Sequence, residues 1–248
     1  VDVMSSLFTR LDDSPYESHG WTAFGFLGII GVAIGIYALG YMHGYHIHHH
    51  KELKDRRSFF MAMIFIFYGA MFGLVCSMSL IWLYFFWEIT SVCSFLLIGY
   101  TRTEKAVENS FKALWMNLLG GLAFAIAIIY SAYAFKTLNL YDLIDSQASG
   151  ALIPIAMLAF AALTKSAQFP FSGWLLGAMV APTPSSALLH SATMVKAGIY
   201  VLFRLAPAMS GTTTGLLISF VGGFTFFAAS IMAIAQTDGK KVLAFSTI

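Results

Sequence analysis

The sequence predicts an all-α, polytopic bundle of transmembrane helices that forms a single membrane domain over residues 1–248. Hydrophobic residues make up 58% of the chain and charged residues only 10%, whereas a soluble domain carries about a quarter of its residues as charged side chains. Long uncharged runs such as residues 21–42 suffice for a helix to cross ~30 Å of hydrocarbon. The runs do not alternate apolar with polar residues, which disfavours membrane strands, and helices satisfy their own backbone groups in lipid.

The apolar runs divide into about seven predicted spans. They are residues 21–42, 59–79, 80–100, 112–135, 151–171, 183–207 and 214–236. We expect the fifth span to be a broken helix near Lys165–Pro170, because a proline removes one backbone hydrogen bond and clashes with the preceding turn. Pro182 predicts a second break of the same kind just before the sixth span.

The distribution of basic residues predicts the orientation, since Lys and Arg accumulate on the cytoplasmic side. With alternating spans, one face receives Lys51, Lys54, Arg56, Arg57, Arg102, Lys105, Lys112, Lys240 and Lys241, and the other receives Arg10, Lys136 and Arg204. The His-rich loop 43–57 is therefore predicted to be cytoplasmic and the N-terminus to lie outside.

Four ionisable residues remain at membrane depth: Glu88, Lys165, His190 and Lys196. A charged group at the bilayer centre costs ~3 kcal/mol on insertion scales, and such groups usually face a hydrated interior. We interpret them as a proton relay. A structural ion pair between Glu88 and one of the lysines is the alternative interpretation.

The surroundings of these residues favour the relay. Broken helices beside a buried charge are a recurring device of transporters, and carbonyls freed by a break are tolerated only beside a cavity or other protein. His190 and Lys196 differ by ~9 Å in height on one helix. They therefore suit successive stations better than one shared site.

A second polar cluster consists of histidines. His43, His46, His48, His49 and His50 crowd one loop. Histidine clusters bind zinc or nickel, but no cysteine accompanies these five, and we interpret the loop as solvated. Cys76 and Cys93 lie in apolar runs and are expected to be small core residues. No Cys or His spacing suits haem or an iron–sulfur cluster, so we expect no redox cofactor on this chain.

Other classes of function are disfavoured. The net charge of +2 is too small to indicate nucleic-acid binding. Residues 238–248 read as an apolar segment just beginning, without a helix stop signal. We therefore interpret the chain as an incomplete piece of a longer subunit or as one part of a split subunit.

The chain resembles the antiporter-like membrane subunits shared by respiratory complex I, Mrp cation/proton antiporters and energy-converting membrane hydrogenases. The strongest segment is residues 164–200, which contains Thr-Lys-Ser-Ala-Gln-Phe-Pro-Phe, Ala-Pro-Thr-Pro and His-Ser-Ala-Thr-Met-Val-Lys-Ala-Gly-Ile-Tyr. Trp-Glu-Ile-Thr-Ser at residues 87–91 is the next. Trp87 and the segment Leu-Gly-Gly-Leu-Ala-Phe at residues 119–124 are most similar to the hydrogenase branch. Trp-Leu-Leu-Gly-Ala-Met, from residue 174, departs from the family's Trp-Leu-Pro-Asp-Ala-Met.

The resemblance implies the roles of four residues. Glu88 would pair with Lys165 on the broken helix, and His190 and Lys196 would connect this pair to the rest of the channel. The spans would correspond to the third to ninth helices of a longer subunit. The chain would then contain one half-channel, and the second would lie outside this sequence.

Our leading hypothesis is a proton-translocating subunit of a redox-driven complex in a prokaryotic-type cytoplasmic membrane. Its expected partners are other membrane subunits and a peripheral redox module that carries iron–sulfur clusters. One alternative is a subunit of a Mrp-type Na+/H+ antiporter, so the transported ions would be protons and, in that case, Na+. The other is a structural membrane anchor, which would gain nothing from four buried ionisable groups.

Overall fold

The computed structural model describes residues 17–49, 55–146 and 150–248. In these ranges the chain is predominantly helical and no β-strand forms. The α-helices are α1 (Glu17–His49), α2 (Arg57–Cys76), α3 (Leu80–Ile98), α4 (Glu104–Tyr130), α5 (Leu140–Asp145), α6 (Leu152–Lys165), α7 (Gly173–Gly177), α8 (Thr183–Ser186), α9 (Met194–Met209), α10 (Thr213–Ile234) and α11 (Gly239–Thr247). Short 3₁₀ segments cover Gly99–Thr101 and Ala178–Val180, and π-helical segments cover Ser131–Phe135 and Ala187–Ala192.

Six helical stretches in these ranges are long and apolar enough to cross a membrane. They are Leu27–Tyr45, Arg57–Cys76, Leu80–Thr101, Glu104–Phe135, Thr183–Met209 and Thr213–Ile234. The predicted all-α polytopic bundle is thereby confirmed. One helix is longer than predicted: α4 begins at Glu104 because Thr103 caps it, accepting a hydrogen bond from the Ala106 amide at 3.2 Å. Threonine is a favourable N-cap residue, and the helix therefore extends beyond its apolar part.

Polarity is distributed as in a membrane protein. Large apolar side chains are exposed on the outside of the bundle, for example Ile234 at 87% and Phe226 at 75%. Buried polar side chains lie inside, among them Lys165, Asn117 and Thr164. Lipid can cover the apolar exterior, while polar groups in the interior must find partners within the protein.

The fifth predicted span consists of two helices, because α6 ends at Lys165 and the chain continues through turns into α7. Gly150, just before α6, lies beside Tyr130 at one end of α4, and Gly177, the last residue of α7, lies beside Asn109 near the other end. Asn109 and Tyr130 are separated by roughly 30 Å of helix. The segment 150–177 therefore runs along nearly the whole of α4, with its interruption near Lys165–Pro170 as predicted.

The end of α6 is formed by backbone geometry rather than by Pro170. The amide of Gln168 donates to the carbonyl of Leu163 at 3.1 Å, and the amide of Ala167 donates to that of Thr164 at 3.2 Å. Ala167 has a φ of 54°. This is the Schellman pattern that ends many helices, with alanine where glycine is usual. Pro170 follows after the helix has ended, so the break stands where we predicted it but has a different cause.

The helical path is interrupted at Pro182, between the 3₁₀ segment Ala178–Val180 and α8, but the proline stands at the start of a helix and not inside one. It occupies the N-cap position of α8, where its missing amide costs no hydrogen bond because the first turn has no intrahelical acceptor for it. The irregular part of the sixth span comes later, at the π-helical segment Ala187–Ala192. There the amide of Thr193 donates to the carbonyl of Leu188 at 3.2 Å, and the Thr193 hydroxyl donates to the same oxygen at 2.7 Å.

Candidate functional site

Lys165 is the last residue of α6 and is completely buried. Its ammonium donates to the carbonyl oxygen of Trp87 and to the hydroxyl of Ser91, both at 2.8 Å. The same nitrogen lies 4.8 Å from the centroid of the Trp87 ring, within the range of a cation–π interaction. A carbonyl, a hydroxyl and an aromatic face on α3 thus hold the charge.

The face of α3 that receives Lys165 consists of small hydroxyl residues. Thr90, Ser91 and Ser94 are all buried, and Thr90 and Ser94 turn their hydroxyls back onto the helix. Thr90 donates to the carbonyl of Trp87 at 2.7 Å and Ser94 to that of Ser91 at 2.7 Å. Such back-bonding satisfies a buried hydroxyl locally. The small side chains leave room for the lysine side chain to reach the backbone of α3.

Glu88 follows Trp87 on α3 and lies at the same level. Its Oε1 atom is buried and has no hydrogen-bond partner among the described residues, and it abuts the backbone of α4 at Gly121. In the described part of the chain no ion pair joins Glu88 to Lys165. Lys165 therefore contacts α3 next to Glu88, but the two charged groups are not in direct contact. This disfavours the structural ion-pair interpretation.

Three glycines, Gly120, Gly121 and Gly198, allow α4 and α9 to pack closely around the end of α6, and we call this contact the clamp. A Cβ on Gly120 would collide with the Thr164 hydroxyl, and one on Gly121 would collide with the Glu88 carboxylate. On the other side, a Cβ on Gly198 of α9 would collide with the carbonyl oxygen of Ala162 and lie 2.9 Å from the amide of Ser166. Small residues permit such close approach of transmembrane helices, and here they occur where the lysine helix ends.

Side chains from other elements satisfy the backbone of the break. The indole of Trp174 donates to the carbonyl of Thr164 at 3.1 Å, and the amide of Phe169 donates to the hydroxyl of Thr225 on α10 at 3.1 Å. Unpaired backbone groups cost several kcal/mol in hydrocarbon. These bonds hold an interrupted backbone at membrane depth.

His190 and Lys196 form no hydrogen bond with Lys165 in the described part of the chain. His190 is 3% exposed, sits on the π-helical segment, and neither ring nitrogen has a partner among the described residues. Segments of π-helix often occur at functional sites. Lys196 is exposed on α9, two residues before Gly198. Neither residue is a hydrogen-bond partner of Lys165, whose partners in the described ranges both lie on α3.

The histidine cluster is only partly described, and the predicted loop is wrong for four of its members, because His43, His46, His48 and His49 lie on α1. His43 is exposed, and its Nδ1 atom lies 2.9 Å from the guanidinium of Arg57. His50 and the side chains of His46, His48 and His49 lie outside the described residues. Within the described ranges, no three His, Cys, Asp or Glu residues could hold a metal ion.

The sequence assigns Arg204 to the outer face, within the sixth predicted span, but does not predict that its side chain is buried. Arg204 lies on α9, is 5% exposed, and donates to the carbonyl of Ser77 at 2.7 Å. Its guanidinium lies 5.0 Å from the Tyr141 ring and 5.6 Å from that of Tyr200, while the Tyr200 hydroxyl donates to the carbonyl of Val75 at 2.9 Å. Two side chains of α9 thus bind carbonyls at the end of α2. The tyrosine one turn before the arginine was the available sequence signal.

Asn117 was also missed, because a lone asparagine inside an apolar run carries no formal charge. It is 1% exposed on α4, and its Nδ2 donates to the carbonyl of Ala113 at 2.8 Å. Its Oδ1 has no partner among the described residues.

Known proteins share this sequence and this fold. The family model described as NADH:quinone oxidoreductase/Mrp antiporter, TM, matches residues 77–248. The A1 subunit of the Na(+)/H(+) antiporter of Staphylococcus haemolyticus is 40% identical over 88% of this chain and 27% of its own length. The A/B subunit of the probable K(+)/H(+) antiporter of Rhizobium meliloti is 39% identical over 94% of this chain and 23% of its own length.

A solved structure agrees with these relatives. The Mrp complex of a Dietzia species contains a chain that aligns with a TM-score of 0.78 and 31% identity, over 91% of this chain and 25% of that one. This chain therefore spans about a quarter of the length of these relatives. The apolar helices and the family match identify an integral membrane protein. The chain belongs to the family of NADH:quinone oxidoreductase/Mrp antiporter membrane subunits.

Proposed function

We propose that this chain is the ion-translocating part of a Mrp-type antiporter subunit, which exchanges a monovalent cation for protons. The observation that carries the proposal is the fully buried Lys165 at the end of an interrupted helix, with Glu88 at the same level. The names of both relatives and the Mrp complex support antiport over our leading hypothesis of a redox-driven pump. The cation is Na+ in one relative's name and K+ in the other's.

The geometry suits proton transfer at Lys165. The ammonium has three N–H donors, and its two described acceptors are the Trp87 carbonyl and the Ser91 hydroxyl. The third proton is available for transfer. When the lysine is neutral, the same carbonyl and hydroxyl keep its nitrogen in place, so the next proton is received at the same position.

Glu88 controls that transfer through its charge. Two charges in a low-dielectric interior interact far more strongly than in water, and groups coupled in this way titrate as a pair. Protonation of the Glu88 carboxylate withdraws a negative charge from beside Lys165 and thereby favours loss of the lysine proton. A cation that arrives near Glu88 acts in the same direction, which couples its movement to that of the proton.

His190 and Lys196 extend the proposed relay. The unpartnered ring nitrogens of His190 can accept or donate a proton through water. Lys196, which is exposed on α9 and not buried as the sequence predicted, would pass it to another part of the assembly. Water chains or other subunits must bridge the distances, since the described hydrogen-bond partners of Lys165 both lie on α3.

A redox-driven complex remains the second candidate, because the family description includes NADH:quinone oxidoreductase. In that case a peripheral redox module would carry the iron–sulfur clusters, and this chain would hold no redox cofactor. In both cases other membrane subunits are the partners. Purification of the native complex discriminates the two: copurifying iron–sulfur proteins would favour the redox-driven pump, and their absence would favour antiport.

We also propose that the end of α1 from residue 43 and the segment up to residue 57 are cytoplasmic and the N-terminus outside. Arg204 binds the carbonyl of Ser77 at the end of α2 that lies away from Arg57, which is consistent with its place on the opposite face. Three of the basic residues that predict this orientation lie outside the described residues: Arg10, Lys51 and Lys54. Labelling of single cysteines introduced at Lys105 and Lys136 with a membrane-impermeant reagent tests the proposal. In intact cells we expect labelling at position 136 and none at 105, and the reverse pattern would overturn it.

Lys165→Ala tests the function itself. We expect this variant to lose cation-dependent proton transport. The measurement uses the full complex reconstituted in proteoliposomes, with a pH-sensitive dye enclosed in the vesicles. Lys105→Ala, which removes an exposed lysine at the start of α4, is the matched control and should transport normally. Transport by Lys165→Ala at the wild-type rate, with the complex assembled, would rule out the proposed function. Loss of transport in an assembled Lys165→Ala complex would also exclude the structural anchor.

A further inference from the structure

Asn117 lies on the face of α4 that contacts Glu88 and α6. Gly120 and Gly121 follow it by three and four residues and therefore share its face. Gly120 contacts Thr164, the neighbour of Lys165, and Gly121 contacts the Glu88 carboxylate. Asn117 thus stands about one helical turn from both contacts, on the side toward the residue at which α4 begins.

The orientation of the Asn117 amide is fixed. Its nitrogen donates to the carbonyl of Ala113 in the preceding turn at 2.8 Å, and the reversed orientation would place two oxygens against each other. The oxygen Oδ1 therefore points away from the backbone of its own helix. It is buried and has no donor among the described residues.

Three buried polar atoms that have no partner among the described residues belong to the contact between α3 and α4. Asn117 Oδ1 and Glu88 Oε1 are acceptors, and the indole Nε1 of Trp87 is a donor. The Trp87 ring also contacts Phe124, one turn beyond Gly121 on α4, at 5.5 Å between centroids. A buried polar group without a hydrogen bond is costly. Water relieves such groups where several lie together, since one molecule donates two hydrogen bonds and accepts others.

We infer that Asn117 is a positioning residue for the water path that carries protons between Glu88 and the end of the bundle where α4 begins. Its fixed oxygen accepts a hydrogen bond from water and sets the direction of that water's remaining hydrogen bonds toward Glu88. The inference rests on the proposed function, because it assigns the path by which the Glu88–Lys165 pair exchanges protons. Each step of this transfer balances, because an O–H bond of one water breaks as an O–H bond to the next water forms.

Asn117→Leu and Asn117→Ser test the inference in the complete complex in proteoliposomes. Leucine has a similar volume and excludes water, so we expect transport roughly five- to tenfold slower, corresponding to the loss of about one hydrogen bond. Serine keeps an acceptor and leaves room for water, so it should restore at least half of the rate. Asn109→Leu is the matched control, because Asn109 forms the same back-bond to Lys105 at 2.9 Å but is only half-buried.

The dependence on pH and on cation concentration separates a proton path from a structural role. If Asn117 positions the water path, Asn117→Leu should lose more activity at alkaline pH, where protons are scarce. The cation concentration that gives the half-maximal rate should be the same as in the wild type. A uniform loss at every pH, a serine variant as slow as leucine, or an unaffected leucine variant would overturn the inference. If Asn117→Leu does not assemble, the smaller apolar Asn117→Val takes its place with the same expected results.

Lys165→Ala in the same preparation keeps the two proposals distinguishable. Transport lost in Lys165→Ala but normal in Asn117→Leu refutes only the path through Asn117. Transport retained in Lys165→Ala refutes the proposed function, on which the path depends.

Discussion

The helix interruptions at Lys165 and at His190 differ in the partners that they provide for these ionisable residues. At Lys165 the chain supplies a carbonyl, a hydroxyl and an aromatic face for the charge. At His190 a π-helical turn also places a side chain in the interior, but both ring nitrogens lack partners among the described residues. The first site therefore supplies partners for its charged group within the described part of the chain. The second depends on water or on another group for its hydrogen bonds.

The largest expected effect concerns the clamp on the first interruption. Gly198→Leu places a side chain against the carbonyl of Ala162 and the amide of Ser166, which are backbone atoms that cannot move aside cheaply. Overpacking typically costs about 1–3 kcal/mol, and occasionally more, so we expect a lower unfolding temperature in detergent together with loss of transport.

Gly222→Leu is the control for Gly198→Leu. No atom lies within 4 Å of a Cβ built on Gly222 of α10, so its unfolding temperature should change little. An unchanged unfolding temperature in Gly198→Leu would mean that the clamp is not needed to hold the break.

The second prediction concerns the other interruption. His190→Gln removes a titratable ring but keeps a polar side chain, and no hydrogen bond within the described ranges is lost. We expect transport to slow less than in Lys165→Ala, with little change in the unfolding temperature. His43→Gln, on an exposed histidine, should transport normally. Equal transport in both histidine variants would show that His190 is not part of the relay. Of the two interruptions, only the one at Lys165 would then take part in transport.

The smallest expected effect concerns the backbone that ends α6. Ala167 has a φ of 54°, and the left-handed conformation costs a non-glycine residue roughly 1–2 kcal/mol. Ala167→Gly should therefore raise the free energy of unfolding by up to about 1 kcal/mol, since glycine's greater freedom in the unfolded chain offsets part of the gain.

Ala159→Gly is the control for Ala167→Gly, because Ala159 is buried within α6 itself. There glycine should lower the free energy of unfolding by about 1 kcal/mol. The same sign of change in both variants would show that Ala167 is not strained. Chemical denaturation in detergent micelles measures both values.

The sequence predicted the elements that depend on hydrophobic length and on the rarity of buried charge. The helical spans follow from apolar runs, and the break near Lys165 follows from a lysine and a proline in one run. The cause of the break could not be predicted, because the Schellman pattern depends on the φ of Ala167 and nothing in an alanine indicates a left-handed conformation.

The polar contacts were less predictable than the spans. The burial of Arg204 was not predicted because its carbonyl partner at Ser77 is distant in the sequence, and only the folded packing of α9 against the end of α2 brings them together. Asn117 was missed because the value of an amide depends on which of its atoms are satisfied. The absence of a direct ion pair between Glu88 and Lys165, both described residues, also depends on packing, namely on how α4 meets the glutamate at Gly121.

The half-length of α6 has a consequence for charge selectivity. An α-helix carries the equivalent of about half a negative charge at its C-terminal end, and most transmembrane helices leave that end in water or among lipid headgroups. The 14 residues of α6 cover only ~21 Å, so its negative end stands in the hydrophobic interior, where screening is weak. The peptide backbone itself therefore attracts positive charge and repels anions in this region, in addition to the effects of the charged side chains nearby.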